Sequence, residues 1–164
     1  MAAMPDDKHD RVWEIVENVG VCMMVTRFTD GLRARPLEAR PQRDANAIWF
    51  VTDVRGAKDD EIAAHADVCL IFIDHKAKAY LSLTGDAAVR RDHARAATIW
   101  RKTDDAWWSG PDDPNVRIVR FAPARAELWD GPASAAVAAF EFAKARATGR
   151  KPDLGENRKT SVDM

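Results

Sequence analysis

Apolar and polar positions alternate along this chain with two different periods, and each change of period predicts a new element. Near the N-terminus, apolar residues recur every three to four positions, which predicts a helix from about Asp6 to Asn18 that ends at Gly20. Further along, short apolar runs rich in β-branched and aromatic residues are separated by turn residues. These runs predict six strands: Val21–Arg27, Leu32–Gln42, Ile48–Thr52, Asp67–Asp74, Ala79–Arg91 and Val116–Trp129.

Helical patterns lie between and after these strands, at about Lys58–His65, Asp92–Trp100 and Ala133–Thr148. Asp30-Gly31 has the chemistry of a hairpin turn, and Gly85 predicts a bulge within its strand. Tight turns between strands, with a few short helices, favour an antiparallel barrel over a βαβ fold. We expect one domain over residues 1–164, with a polar tail from about 150 to 164 that is mobile at its end.

Composition narrows the class of protein without naming a function. The chain has 164 residues, 46% apolar and 31% charged, with a formal net charge of -1. This balance is typical of a globular domain and gives no electrostatic reason for a nucleic-acid or membrane partner. The N-terminus has no apolar segment typical of a secretory signal. We interpret Cys22 and Cys69, both within apolar strand-like runs, as reduced thiols of a cytoplasmic protein.

The second predicted strand carries two arginines on one face. The alternation of a strand places Arg33, Arg35 and Leu37 together, although like charges at that range repel. Either a bound anion or a solvated outer face near acidic residues explains such a pair. Pro36 cannot donate a backbone hydrogen bond, so it marks a sheet edge or a bulge.

The third predicted strand leads into a second candidate anion site. Thr52 closes the strand, Gly56 lies in the turn that follows, and Lys58 begins the next helix. A hydroxyl, a small turn and a lysine at a helix start are groups that hold phosphate. The nucleotide-binding patterns GxxxxGK[ST] and GxGxxG are both absent. From these residues alone, an anion site and an ordinary strand-to-helix loop remain equally good interpretations.

Several segments taken together are similar to a known family. GLRARPLE, WFVTD followed by AKDDEI, AYLSLTGDA and AELWD occur in this order. The series resembles the general stress protein branch of the pyridoxamine 5′-phosphate oxidase-like FMN-binding split barrels. The resemblance implies a mainly β fold with flanking helices, a six-stranded antiparallel split β-barrel. It also implies a homodimer with FMN in clefts between the subunits.

The same resemblance implies the residues that contact the flavin. Arg35 and Lys58 match the family's phosphate-binding positions, and Tyr80 matches a glutamine near the flavin. One of the tryptophans of a partner subunit would pack against the flavin ring; the candidates are Trp107, Trp108 and Trp129. The full set of expected cofactor-binding residues is Arg35, Pro36, Leu37, Val51, Thr52, Lys58, Tyr80, Trp108 and Trp129.

Two departures from the family pattern limit what the resemblance implies. Gly56 and Ala57 supply neither the hydroxyl nor the second cation found at these positions in relatives, so we expect phosphate binding either to be weaker or to rely on Arg33 or Arg55 instead. The tail GENRKTSV lacks the oxidase's substrate-binding arginine and histidine, so we do not expect oxidation of pyridoxamine phosphate. The remaining hypotheses are an FMN-dependent oxidoreductase with a small-molecule substrate, a non-catalytic flavin-binding stress module, and a barrel using deazaflavin F420 or haem.

Overall fold

The computed structural model describes residues 7–55, 58–130, 135–152 and 159–164. The helices in these ranges are α1 (Asp7–Val19), α2 (Lys58–Ala64), α3 (His93–Ile99) and α4 (Ala135–Thr148). The strands are β1 (Val21–Phe28), β2 (Gly31–Glu38), β3 (Arg40–Gln42), β4 (Ala47–Asp53), β5 (Asp67–Asp74), β6 (Ala79–Arg90), β7 (Val116–Trp129) and β8 (Lys159–Asp163). Short 3-10 helices lie at Arg43–Ala45 and Lys102–Ala106. No described helix is both long and apolar enough to span a membrane.

All of these strands join one antiparallel sheet, in the order β2-β1-β5-β6-β7-β4-β3. The long strand β7 pairs with β6 along one edge. Along its other edge, its first half pairs with β4 and its second half with β8. The sheet curls so that β2 contacts β4 without a hydrogen-bonded ladder between them. This mainly β, curled antiparallel sheet with a few helices confirms the predicted split-barrel fold class.

The core lies on the concave face of the sheet, as the alternation of apolar residues predicts. In β1, for example, Cys22, Met24 and Thr26 are buried, whereas Val21 and Met23 between them are exposed. The apolar face of α1 packs against this core. The largest buried side chains come from α1 and five strands: Trp13, Ile15, Met24, Ile48, Phe50, Leu70, Phe72, Leu81, Leu83 and Phe121.

Gly85 interrupts the long β6–β7 ladder as the sequence predicts. The register shifts between Thr84 and Gly85, which is the irregularity expected of a bulge. A Cβ atom at Gly85 would lie 2.1 Å from the carbonyl oxygen of Ala122 and 3.0 Å from the Cα of Pro123. Only glycine therefore allows the two backbones to approach this closely.

Two features differ from the sequence prediction. The predicted strand Leu32–Gln42 is divided at Ala39, whose N–H donates to the Gly20 carbonyl at 2.6 Å. There the chain leaves β1 and begins to pair with β4.

The C-terminal tail is the second difference. The prediction that its end is mobile is wrong, because residues 159–163 form β8 against β7. This strand buries only Val162, so its sequence carries too short an apolar pattern to predict a strand.

Candidate functional site

Arg33 and Arg35 lie on the concave face of β2. Their partners across the β1–β2 ladder are Thr26 and Met24, both fully buried. Directly opposed residues of an antiparallel pair project to the same face, so both arginines face inward. The Arg35 side chain is 16% exposed and that of Arg33 is 49% exposed. A solvated outer face is therefore not the reason these arginines share a side of the strand.

The carboxylate of Glu61, on α2, lies between the two arginines. Arg35 donates from Nη2 to Glu61 Oε2 at 2.6 Å, and Arg33 Nη1 lies 3.0 Å from Oε1. The Thr26 hydroxyl donates to Glu61 Oε2 at 2.5 Å. Glu61 is only 6% exposed, so these groups replace the water that the carboxylate has lost. Sequence reasoning missed Glu61, because only the packing of α2 against β1 brings it to β2.

Glu61 is held in its ionised form by this arrangement. Burial is the largest single effect on its pKa and acts to raise it. The hydrogen bonds from Thr26 and Arg35, together with the charges of Arg35 and Arg33, outweigh burial and lower the pKa below its usual value. Two guanidinium groups thus share one carboxylate, so Arg33, Arg35 and Glu61 together carry a net charge of +1.

Within the described parts of the chain, one donor group of Arg35 has no acceptor. Its Nη1 atom is buried, and none of the described residues accepts a hydrogen bond from it. A buried donor without a partner costs free energy, more so on a charged group. A phosphate oxygen at Nη1 would remove that cost and neutralise the remaining charge. The residues present therefore fit the phosphate of a bound cofactor.

The other two expected phosphate residues lie on β4 and α2. Thr52 is buried near the end of β4, and β4 contacts β2. Lys58 begins α2, three residues before Glu61, so its Cα lies about 4.5 Å along the helix axis from that of Glu61. The Lys58 side chain, and Gly56 and Ala57, lie outside the described parts of the chain.

The turn after β4 is fixed by Asp53. Its carboxylate accepts hydrogen bonds from the backbone N–H of Arg55 at 2.8 Å and from Arg55 Nε at 2.7 Å. Trp108 Nε1 donates to the same carboxylate at 3.0 Å. The Arg55 hydrogen bond is the main reason that the pKa of Asp53 lies far below its usual range. Arg55 therefore serves the turn, and its guanidinium is already paired.

The tryptophans expected near a flavin lie in three different places. Trp108 packs edge-on against Trp100, with ring centroids 6.1 Å apart, beside a small apolar cluster that contains Val51. Its neighbour Trp107 is 75% exposed. Trp129 lies directly opposite Tyr80 in the β6–β7 ladder, with Lys159 Nζ 5.7 Å from its ring centroid.

Within one chain, the nine expected residues do not form a single cluster. Tyr80 and Trp129 alternate with buried neighbours, so they project from the convex face, opposite to Arg35. Pro36 is exposed on β2, whereas Leu37 packs partly into the main core. The structure thus joins Arg35 to Glu61 of α2 and places Tyr80 and Trp129 on the opposite face of the sheet.

A second buried ion pair joins β3 to the 3-10 helix Lys102–Ala106, and sequence reasoning missed this pair as well. Arg40 Nη2 is 2.7 Å from Asp104 Oδ1, and each side chain is 6% exposed. Asp104 also accepts the backbone N–H of Arg101 at 2.8 Å. Arg40 is separated from Asp104 by 64 positions, and no local sequence pattern relates residues that far apart. The pair fixes the 3-10 helix Lys102–Ala106 against β3.

Solved structures similar to this chain carry stress-protein and flavin-binding names. A general stress protein 26 from Jannaschia sp. CCS1 is 28% identical, with a TM-score of 0.74; the match covers 99% of this chain and 100% of that one. A general stress FMN/FAD binding protein from Xanthomonas citri is 24% identical over 77% of this chain and 90% of its own, with a TM-score of 0.68.

The fold is shared with a more distant protein as well. A pyridoxamine 5′-phosphate oxidase-related FMN binding protein from Nostoc punctiforme is 15% identical, covers 100% of this chain and 99% of its own, and has a TM-score of 0.57. No curated protein matches the sequence. The family model described as "Pyridoxamine 5′-phosphate oxidase like" matches residues 7–153. The chain therefore belongs to the pyridoxamine 5′-phosphate oxidase-like family.

Proposed function

We propose that this protein binds FMN and holds its phosphate with Arg35, Thr52 and Lys58. The observation that carries the proposal is the buried Arg35 Nη1, a charged donor with no acceptor among the described residues. It belongs to a group of two arginines that share the single carboxylate of Glu61. The flavin-binding names of similar structures support the same cofactor class.

In this proposal Glu61 orients Arg35 rather than contacting the cofactor. By accepting from Nη2 at 2.6 Å it fixes the guanidinium plane, so that Nη1 remains available to a phosphate oxygen. Thr52 would add a hydroxyl donor from β4, and Lys58 a cation from the first turn of α2. Bound flavin would supply hydride or electron transfer, and the chain's own residues would position it.

The best test compares FMN with riboflavin, which has the same ring system but no phosphate. Arg35→Gln should weaken FMN binding about 10- to 150-fold, the range for a lost charge-assisted hydrogen bond, and leave riboflavin binding unchanged. Arg27→Gln is the matched control, because Arg27 is exposed and pairs only with exposed Asp67 at 3.5 Å among the described residues. Affinity can be measured by quenching of flavin fluorescence. Equal FMN affinity in Arg35→Gln and wild type would contradict the phosphate assignment.

We propose further that the protein is a homodimer whose subunits meet at the convex face of the sheet. Exposed apolar side chains on β1, β5 and β6 lie in register there, with Met23 opposite Ile71 and Ile73 opposite Tyr80. A contiguous apolar patch of this kind marks an interface. The patch also carries Tyr80, with Trp129 directly opposite it in the β6–β7 ladder, so a second copy that covers the patch would contact both residues. Ile71→Lys should yield monomers in sedimentation experiments, whereas Thr84→Lys, at an exposed position of the same face, should not.

The chemistry we propose is that of a flavin-dependent oxidoreductase in a single domain, with a small-molecule redox substrate. The alternative is a flavin-binding stress module without turnover, which the stress-protein names of similar structures favour. A turnover assay on purified, FMN-saturated protein distinguishes the oxidoreductase from the non-catalytic module. NAD(P)H-dependent bleaching of the flavin with repeated turnover of an acceptor supports the enzyme, and stable binding without turnover supports the module.

A further inference from the structure

A cavity of about 200 Å³ lies on the convex side of the sheet, beside the start of α3. Its lining comes from β4, β6, β7 and the residue that caps α3. These residues are Trp49, Ala88, Arg90, Asp92, Ile118 and Arg120. The cavity is separate from the proposed phosphate site, since Arg35 projects from the opposite, concave face of β2.

The ladders that join β4, β7 and β6 explain how apolar and cationic groups come together here. Trp49 pairs with Arg120, which pairs in turn with Ala88. Two residues along each strand, Ile118 pairs with Arg90. Because positions two apart share a face, these five side chains form one surface. The indole, Ile118 and Ala88 provide an apolar floor, and two guanidinium groups stand beside it.

The cationic groups at this cavity have few anionic partners. Arg95 of α3 places its guanidinium 4.4 Å from the centroid of the Trp49 ring, and that of Arg120 is 5.8 Å away. Within the described parts of the chain, Arg90, Arg95 and Arg120 take part in no ion pair. Among the described residues that line the cavity, Asp92 is the only one with a carboxylate, which accepts the backbone N–H of Arg95 at 2.8 Å and caps α3. A net positive charge therefore remains beside the apolar floor, and a bound anion would offset the repulsion among the arginines.

We propose that this cavity binds a single-ring aromatic carboxylate. Its carboxylate would pair with Arg90 and Arg120, and its ring would lie on Ile118, Ala88 and the edge of Trp49. A volume of about 200 Å³ is smaller than the usual 300–1,000 Å³ of drug-sized ligand sites, so one ring fits better than the three fused rings of a flavin. Asp92 at the rim favours a monoanion, because it would repel a doubly charged phosphate more strongly.

Calorimetric titration of the FMN-saturated protein tests the proposal with four probes: benzoate, benzyl alcohol, acetate and phenyl phosphate. We expect benzoate to bind at least about tenfold more tightly than any of the others, since only benzoate combines the ring with a single negative charge. Arg90→Gln and Arg120→Gln should each weaken benzoate binding about tenfold. The control is Arg125→Gln, an exposed arginine of the same strand β7 that lies outside the cavity lining.

Four results would overturn the proposal. If benzyl alcohol bound as tightly as benzoate, the arginines would not recognise the carboxylate. If acetate bound as tightly as benzoate, the apolar floor would not recognise the ring. Tighter binding of phenyl phosphate would contradict the preference for a monoanion. No effect of either arginine substitution would place benzoate elsewhere. FMN affinity is measured in the same variants, because loss of FMN would assign these arginines to the flavin site, whereas unchanged FMN affinity keeps the two sites separate.

Discussion

Replacing Glu61 with glutamine removes the single carboxylate that serves Arg33, Arg35 and Thr26. Breaking a buried ion pair by removing one partner costs about 3–5 kcal/mol of the free energy of unfolding. Arg33 is half exposed, so water can replace its share of the interaction, and the glutamine oxygen can still accept from Thr26. We therefore expect a loss of about 3 kcal/mol at pH 7, which for a chain of this size lowers the Tm by about 6–12 °C.

The same prediction has a pH dependence with a definite sign. The pKa of Glu61 in the folded protein lies below its ordinary value of 4.5. Its stabilising effect is therefore complete above that value and is lost as the pH falls toward the folded-state pKa, because the unfolded chain takes up the proton first. The stability gap between wild type and Glu61→Gln should be widest at neutral pH and narrow in acid.

Urea unfolding followed by circular dichroism measures this gap at several pH values between neutral and about 3.5. Glu17→Gln is the control, because Glu17 is exposed on α1 and its replacement should change stability by less than about 0.5 kcal/mol. A Glu61→Gln protein as stable as wild type at pH 7 would refute the reasoning. So would a gap that stays constant in acid, since it would show that the charge of Glu61 is not what stabilises the fold.

Three further predictions concern the core. Asp104→Ala leaves the buried guanidinium of Arg40 with Glu38, 3.6 Å away, as its only ion-pair partner among the described residues. The substitution should cost about 3–5 kcal/mol in urea unfolding, and a loss below about 1 kcal/mol would mean that the pair is solvated. Gly85→Ala forces a Cβ against the Ala122 carbonyl and should cost about 1–3 kcal/mol, and an unchanged Tm would argue against the close approach of β6 and β7. Burial raises the pKa of Cys22 to about 12, so in native protein at pH 8 a thiol reagent should spare Cys22 until denaturant is added, and labelling of Cys22 without denaturant would contradict its burial.

Most of the sheet was predictable because its strands have one buried and one exposed face. That alternation gives β1, β5 and β6 a clear period of two, and Gly85 marks the bulge within β6. The tail strand β8 was not predictable in the same way. It lies at the edge of the sheet and buries a single valine, so its stability comes from β7 rather than from its own sequence.

In the candidate site as well, the sequence predicts features that depend on local strand geometry and misses contacts between residues that are far apart in the chain. The sequence correctly places Arg33 and Arg35 on one face, since that depends only on strand geometry. It cannot identify Glu61 as their shared partner, because Glu61 lies 26 positions after Arg35 and reaches it only when α2 packs against the barrel. Before folding, the acidic start of α2 looks like any solvated helix face.

The position of β7 in the sheet has a consequence for how the protein is made. One ladder, β2-β1-β5-β6, and another, β4-β3, share no hydrogen-bonded pairing until β7 joins them. Without β7, the edges of β6 and β4 that it covers therefore have no partner strand among the described strands. Such edges pair readily with other chains, so this is the stage at which aggregation competes with folding. β7 is therefore the strand that joins the two ladders into one sheet.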